Sequence, residues 1–302
     1  MHWDYFPNQA SCQAPSGEGQ GTDRYHGRLV CEESFIQGRG YVEAVILYIA
    51  VGAGSGLLGG LLGLGGGLVT VPALAAWFAA AGYGEAAMHL AVGSSLAVIP
   101  FTLASAVVAH ARRGAVAWPL LKGLVPGAVL GGLAGALLVG GLDGARLAVL
   151  FGTFLILVAL WMALGRKPAP GRQPPGRAGQ AMAGGVIGLV AAPMGVAGGT
   201  LTVPWLAWHN IPLPRAVATS AALGLPIALA GVAGFLITGS GVPGRPEGAT
   251  GWVHLPAVAA LAPAAILTAP LGARLAHALP VTLLRRIFAG FLVVVGLRMM
   301  IG

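Results

Sequence analysis

Apolar residues fill this chain in long blocks separated by short polar gaps. The blocks lie at about 43–63, 66–81, 86–109, 118–140 and 146–164, and then at about 179–194, 198–209, 214–238, 253–276 and 281–301. A helix needs about 20 apolar residues to cross a ~30 Å hydrocarbon core. Several blocks reach that length, the 66–81 and 198–209 blocks are short, and eight of the ten are read as full crossings. Each short block reads as a half-helix or re-entrant arm paired with the block before it.

The short blocks open on the same residues. Gly65-Gly66-Gly67-Leu68-Val69-Thr70-Val71-Pro72 returns 132 positions later as Ala197-Gly198-Gly199-Thr200-Leu201-Thr202-Val203-Pro204. Ala91-Val92-Gly93-Ser94-Ser95 matches Ala216-Val217-Ala218-Thr219-Ser220. At a shift of 137, Gly114 meets Gly251, Pro119 meets Pro256, Pro126 meets Pro263, Gly135-Ala136 meets Gly272-Ala273 and Phe151 meets Phe288. Colinear agreement in several places indicates duplication. The expected organisation is a polar tail (1–41), a first transmembrane repeat (42–164), a basic linker (165–178) and a second repeat (179–302). The tail is polar and Gly-rich, without the order of a signal peptide, and reads as disordered. Whether it belongs to the mature protein, and whether Cys12 and Cys31 pair, stay open.

Composition agrees with lipid. The chain is 56% hydrophobic and 9% charged, against roughly a quarter charged in soluble domains. Many of its 50 glycines and 21 prolines fall within the apolar blocks and form no low-complexity tract there. The net charge of +8 is spread over the gaps between blocks and forms no basic face, so no nucleic-acid partner is expected. The linker carries Arg166, Lys167, Arg172 and Arg177, and is assigned to the cytoplasm.

Charge also orients the halves. Arg112-Arg113 correspond to Ala249-Thr250, while Arg285-Arg286 correspond to Ala148-Val149. Equivalent loops thus exchange their basic residues, as opposite orientations require. The 110–117 and 277–286 loops are placed inside, and the 240–252 loop and the tail outside. The fold class expected is an all-α polytopic membrane protein: an inverted repeat of two homologous helical halves, with broken or re-entrant helices at the Gly-rich motifs. Such repeats set the substrate near the bilayer midplane at their interface.

At each break glycines let the backbone leave the helix, and the restarting helix offers free N–H donors at its positive end, which suits an anion. Hydroxyls can add donors without burying a cation. The candidate substrate-binding set is Gly65, Gly66, Gly67, Thr70 and Pro72 from the first motif, and Gly198, Gly199, Thr200, Thr202 and Pro204 from the second. Ser94, Ser95, Thr219 and Ser220 complete it. The plainer alternative is helix packing through Gly63-x-x-x-Gly67 and Gly195-x-x-x-Gly199, with hydroxyls bonded to the preceding turn. Glu85 and Asp143 sit at block ends, so no carboxylate is expected at mid-membrane, which disfavours a cation substrate. Lys122 reads as a snorkelling interfacial residue, and His89 and His110 as interfacial structural histidines that also leave proton coupling open. Six tryptophans, among them Trp118, Trp161 and Trp252, are assigned to the interfaces. No catalytic dyad, metal spacing or cofactor motif appears, so neither an enzyme nor a cofactor or metal is expected.

These residues resemble the TauE/SafE sulfite-exporter family, also known as the toluene-sulfonate uptake permease family. The marks are Gly63-x-Gly65-Gly66-Gly67-x-x-x-Val71-Pro72, Gly198-Gly199-x-x-x-Val203-Pro204 and His110-x-Arg112-Arg113-Gly114-x-Val116-x-Trp118. Pro126-Gly127, Gly131 and Gly135-Ala136, with Gly272-Ala273-Arg274-Leu275 and Leu284-Arg285-Arg286-Ile287-Phe288, fit as well. The resemblance covers about 42–302, and Ser94-Ser95 departs from the Thr-Ser pattern kept at Thr219-Ser220. It implies a multi-pass carrier of the cell (inner) membrane for small sulfur-containing anions such as sulfite or organosulfonates, working by alternating access. A passive anion channel or a non-transporting membrane subunit is the alternative. The anion, its direction, proton coupling and a homo-oligomeric state stay open. Thr202→Val or Gly199→Leu is expected to abolish transport while expression persists.

Overall fold

The structure, a computed structural model, describes residues 42–59, 66–164, 173–278 and 281–301. The tail with Cys12 and Cys31, most of the linker (165–172) and Gly65 of the first motif lie outside the described residues. Two units are distinguished, Met1–Leu47 and Tyr48–Gly302. Of the first only residues 42–47 are described, and all packing reported below lies within the second.

The described chain is helical almost throughout, as lipid demands of a backbone that must satisfy its own hydrogen bonds. The helices are α1 (Val42–Gly59), α2 (Gly67–Ala80), α3 (Ala86–Arg112), α4 (Trp118–Gly140) and α5 (Gly144–Leu164). After the linker come α6 (Arg177–Ala191), α7 (Gly199–Trp208), α8 (Leu213–Thr238), α9 (Leu255–Ala278) and α10 (Val281–Ile301). A two-stranded antiparallel hairpin, β1 (Ala249–Thr250) and β2 (Val253–His254), turns at Gly251 and leads into α9.

Six described helices are long and apolar enough to cross a membrane: α1, α3, α4, α5, α8 and the Leu255–Gly272 stretch of α9. Eight crossings were expected, and α6 accounts for part of the difference. It has 15 residues and α7 has 10, so both arms of that pair are short. Their junction is built by two left-handed glycines. At the end of α6 the Gly195 N–H donates to the Ala192 carbonyl and the Val196 N–H to the Ala191 carbonyl, with Gly195 at φ 60°. Three residues on, Gly198 (φ 72°) starts α7 by accepting from the N–H groups of Leu201 and Thr202. A residue with a Cβ would be strained at both positions. The eighth expected crossing, α10, has 21 residues and carries Arg285, Arg286 and Arg298.

Helix α4 packs on α6 and α8, α3 on α2, α8 and α9, and α5 on α10. Polarity is distributed inside out. Among the described residues eight serines and threonines are buried, including Ser94, Ser95, Thr219 and Ser220, while Leu130, Leu138, Leu157 and Leu267 are at least 60% exposed. An exposed apolar coat of this kind belongs in a bilayer.

Candidate functional site

Both copies of the repeated motif reach one cavity of about 580 Å³. Its inner end is walled by Gly66, Gly67 and Thr70 at the start of α2, Ser95 on α3, Gly199 at the start of α7 and Ser220 on α8. Six of the fourteen candidate residues therefore meet. The two breaks touch directly here, because a Cβ on Gly67 would strike the Gly195 carbonyl. The same carbonyl accepts the Ser95 hydroxyl at 3.0 Å.

The other candidates stand back from the cavity. Pro72 and Pro204 lie inside α2 and α7, and Gly198 shapes the left-handed turn behind Gly199. Ser94 and Thr219 hold backbone. The Ser94 Oγ accepts the His254 N–H at the head of α9, and the Thr219 Oγ1 accepts the Ala117 N–H at the head of α4, both at 2.9 Å. These residues correspond in the sequence, Ser94 with Thr219 at the shift of 125 that aligns Ala91–Ser95 with Ala216–Ser220, and Ala117 with His254 at the shift of 137. The two copies are not identical in detail, however. Gly66 is right-handed (φ −69°) and its carbonyl accepts the Thr70 hydroxyl at 3.0 Å. The hydroxyls of Thr200 and Thr202, behind the left-handed Gly198, are buried with no hydrogen-bond partner.

Other wall residues stood outside the candidate binding set. Ser55 of α1 and Ala265, Ile266 and Pro270 of α9 line the cavity. So does one face of α3, in the order Ser95, Val98, Ile99, Thr102, Leu103, Ala106, His110, and then Arg113 just beyond its end. This is a helical stripe about 27 Å long at 1.5 Å per residue. The spacing was readable, but nothing in it distinguishes a cavity wall from an ordinary packing face. Towards the other end of α3 the chain is closed, with Leu90, Ala91 and Val92 fully buried.

The ionisable groups near that closed end serve structure. Glu85 accepts the Gly144 N–H, and Asp143 caps α5 by accepting the Arg146 N–H and pairing with its guanidinium at 3.1 Å. His89 is buried, its Nε2 3.1 Å from the Val139 carbonyl and its ring stacked on Trp252 at 4.8 Å. Trp252, expected at an interface, is itself buried by this stack. His254 sits edge-on to Tyr48 and Phe78, its Nδ1 accepting the Ala257 N–H. Burial pulls its imidazole down to about 4 from 6.5, against the raising effect of a backbone hydrogen bond at Glu247. No carboxylate lines the cavity among the described residues, and no group of three His, Cys, Asp or Glu comes together there as a metal site. Chemically, the inner end offers hydroxyls, glycine backbone and two helix N-termini, and the rest of the wall is mostly apolar.

A family model described as sulfite exporter TauE/SafE matches residues 48–299. A probable membrane transporter protein of Haemophilus influenzae is 32% identical over 257 residues, covering 84% of this chain and 97% of that protein. Another, of Methanocaldococcus jannaschii, is 30% identical over 260 residues, covering 84% of this chain and 95% of its own length. No solved structure matches the chain.

Proposed function

The chain belongs to the sulfite exporter TauE/SafE family of membrane transporters, and from that premise we propose that it carries a small sulfur-containing anion, sulfite or an organosulfonate, by alternating access. The observation that carries this reading is that both motif copies wall one cavity, whose inner end carries hydroxyls and, among the described residues, no carboxylate. Gly66, Gly67, Thr70, Ser95, Gly199 and Ser220 form the binding set. The first N–H groups of α2 (Gly67, Leu68) and of α7 (Gly199, Thr200), which precede the bonds that Gly66 and Gly198 accept, take the oxyanion, helped by the positive helix ends. Neutral hydroxyls avoid the cost of a mid-membrane cation; those of Thr70 and Ser95 donate to the Gly66 and Gly195 carbonyls in this conformation and must turn to reach the anion. Val98, Ile99, Leu103 and Ile266 give the wall an apolar stretch that suits the carbon body of an organosulfonate.

The inverted repeat is the second component. Its support is the reciprocal pair of hydrogen bonds, in which each half uses one hydroxyl to hold the head of a helix in the other. Further support comes from the seams between the halves. Thr102 and Ala269 face the cavity, between α3 and α9. Their counterparts under the same shifts are Ile227 and Gly132, and a Cβ on Gly132 would lie 3.3 Å from the Ile227 carbonyl. One seam is open while its equivalent is closed. Exchanging these roles opens the site to the opposite face, which is what an inverted repeat provides.

Reconstituted flux of sulfite, sulfate, thiosulfate and organosulfonates, with and without a proton gradient, tests the reading. Accumulation of a sulfur-containing anion against its gradient is expected, together with its loss in Gly199→Leu. Absence of flux for all of them, or flux that only equilibrates, overturns it.

A further inference from the structure

The cavity does not end in neutral residues. Its α3 wall runs outward from Ser95 to His110 and Arg113. Arg113 is exposed and its neighbour Arg112 is exposed as well, but only Arg113 lines the cavity. The backbone there is fixed. The Gly114 N–H donates to Ala111 and the Ala115 N–H to the His110 carbonyl, with Gly114 left-handed at φ 63°. This glycine-capped end locks the angle at which the Arg113 side chain leaves the helix. Among the described residues the ion pair present is Asp143–Arg146, so no carboxylate there neutralises Arg113.

We infer that Arg113, with His110 one turn further in, is the capture site for the transported oxyanion at the mouth of the cavity. The inference rests on the anion-carrier reading above. The guanidinium is a permanent charge with a planar fork of donors that matches a sulfonate or sulfite edge. Placed where the cavity meets water, it raises the local anion concentration, and the low-dielectric walls focus its field inward. His110 then supplies a ring nitrogen one turn along the path. Below it the wall is apolar as far as the hydroxyls of Thr102 and Ser95, so the charge at the mouth compensates for an inner site built without one.

Basic residues at this point also serve membrane orientation and the negative end of α3. Arg112 shares both of those duties but not the cavity, which makes it the control. Full-length protein is reconstituted into vesicles with the 110–117 loop facing the bath, and sulfoacetate uptake is measured across a range of ionic strength. Arg113→Gln is expected to raise the half-saturation concentration about tenfold and to flatten the salt dependence, as loss of a steering charge should. Arg113→Lys retains most of that dependence, and Arg112→Gln behaves as wild type. In parallel, phenylglyoxal modification of the wild type is followed by peptide mass spectrometry. Sulfoacetate is expected to slow modification of Arg113 severalfold and to leave Arg112 unchanged. Equal effects at Arg112 and Arg113, or no protection of either, overturn the capture site even if flux is intact. Protection of Arg113 without flux overturns the carrier reading and leaves the capture site standing.

Discussion

His254 is held from both sides of its residue: the backbone N–H donates to Ser94, and Nδ1 accepts from Ala257 to cap α9. Protonation would end the Nδ1 bond and set a charge among Tyr48 and Phe78. With the imidazole near 4 in the folded protein and 6.5 as its ordinary value, the unfolded chain binds the proton first as pH falls. The stability contributed by this group is complete above about pH 6.5 and is lost as pH drops towards 4. Melting temperature measured in detergent should fall through that window in the wild type and more gently in His254→Asn, whose side chain can also cap a helix; parallel curves would refute the assignment. Ser94→Ala leaves the buried His254 N–H without an acceptor, at a cost of about 1–3 kcal/mol. It should lower the melting temperature and leave the half-saturation concentration for substrate unchanged, whereas Ser95→Ala should shift that concentration. Thr202→Val is the converse case. Its hydroxyl satisfies no bond in this conformation, so the melting temperature should hold or rise, and a loss of transport would report a state in which α7 has moved.

Among the elements, the half-helices were the most legible in sequence. Glycines inside apolar blocks, repeated at one spacing, pointed to breaks at α2 and α7, and α7 begins at Gly199 after a left-handed Gly198. The shortness of α6 was partly legible, because its block runs only from about 179 to 194 and Pro193, which has no N–H to donate, follows the helix end at Ala191; the left-handed Gly195 that completes the turn was not. The division of labour within hydroxyl pairs was equally hidden. Ser94 and Ser95 are neighbours in sequence but point to different partners about a helix, one to the head of α9 and the other to the Gly195 carbonyl at the cavity. Trp252 misled for a related reason, since a tryptophan at a block end reads as an interface residue until a histidine is seen stacked on it. Packing at the break yields its own prediction. Gly67→Ala puts a methyl group against the Gly195 carbonyl, and strain of this kind typically costs about 1–3 kcal/mol. Thermal unfolding should register that loss together with reduced flux; an unaltered melting curve would mean the two breaks are not in contact.

For the whole molecule, the cavity runs along α3 to the exposed Arg113, while Leu90 and Val92 at the other end of that helix are fully buried. A cysteine at Thr102, in a chain whose Cys12 and Cys31 have been replaced, should react with a membrane-impermeant thiol reagent from the loop's side only. Labelling from the other side at an equal rate would contradict this one-sided opening. The crossed hydrogen bonds carry a consequence for how such a chain is made. Ser94 is synthesised long before His254, and Ala117 long before Thr219, so each N–H group and its acceptor spend part of biogenesis in lipid without one another. Helices α4 and α5 wait similarly for α6 and α10. The first half is therefore an assembly intermediate that depends on the second for completion, and a ribosome stalled in the linker would leave it to quality control.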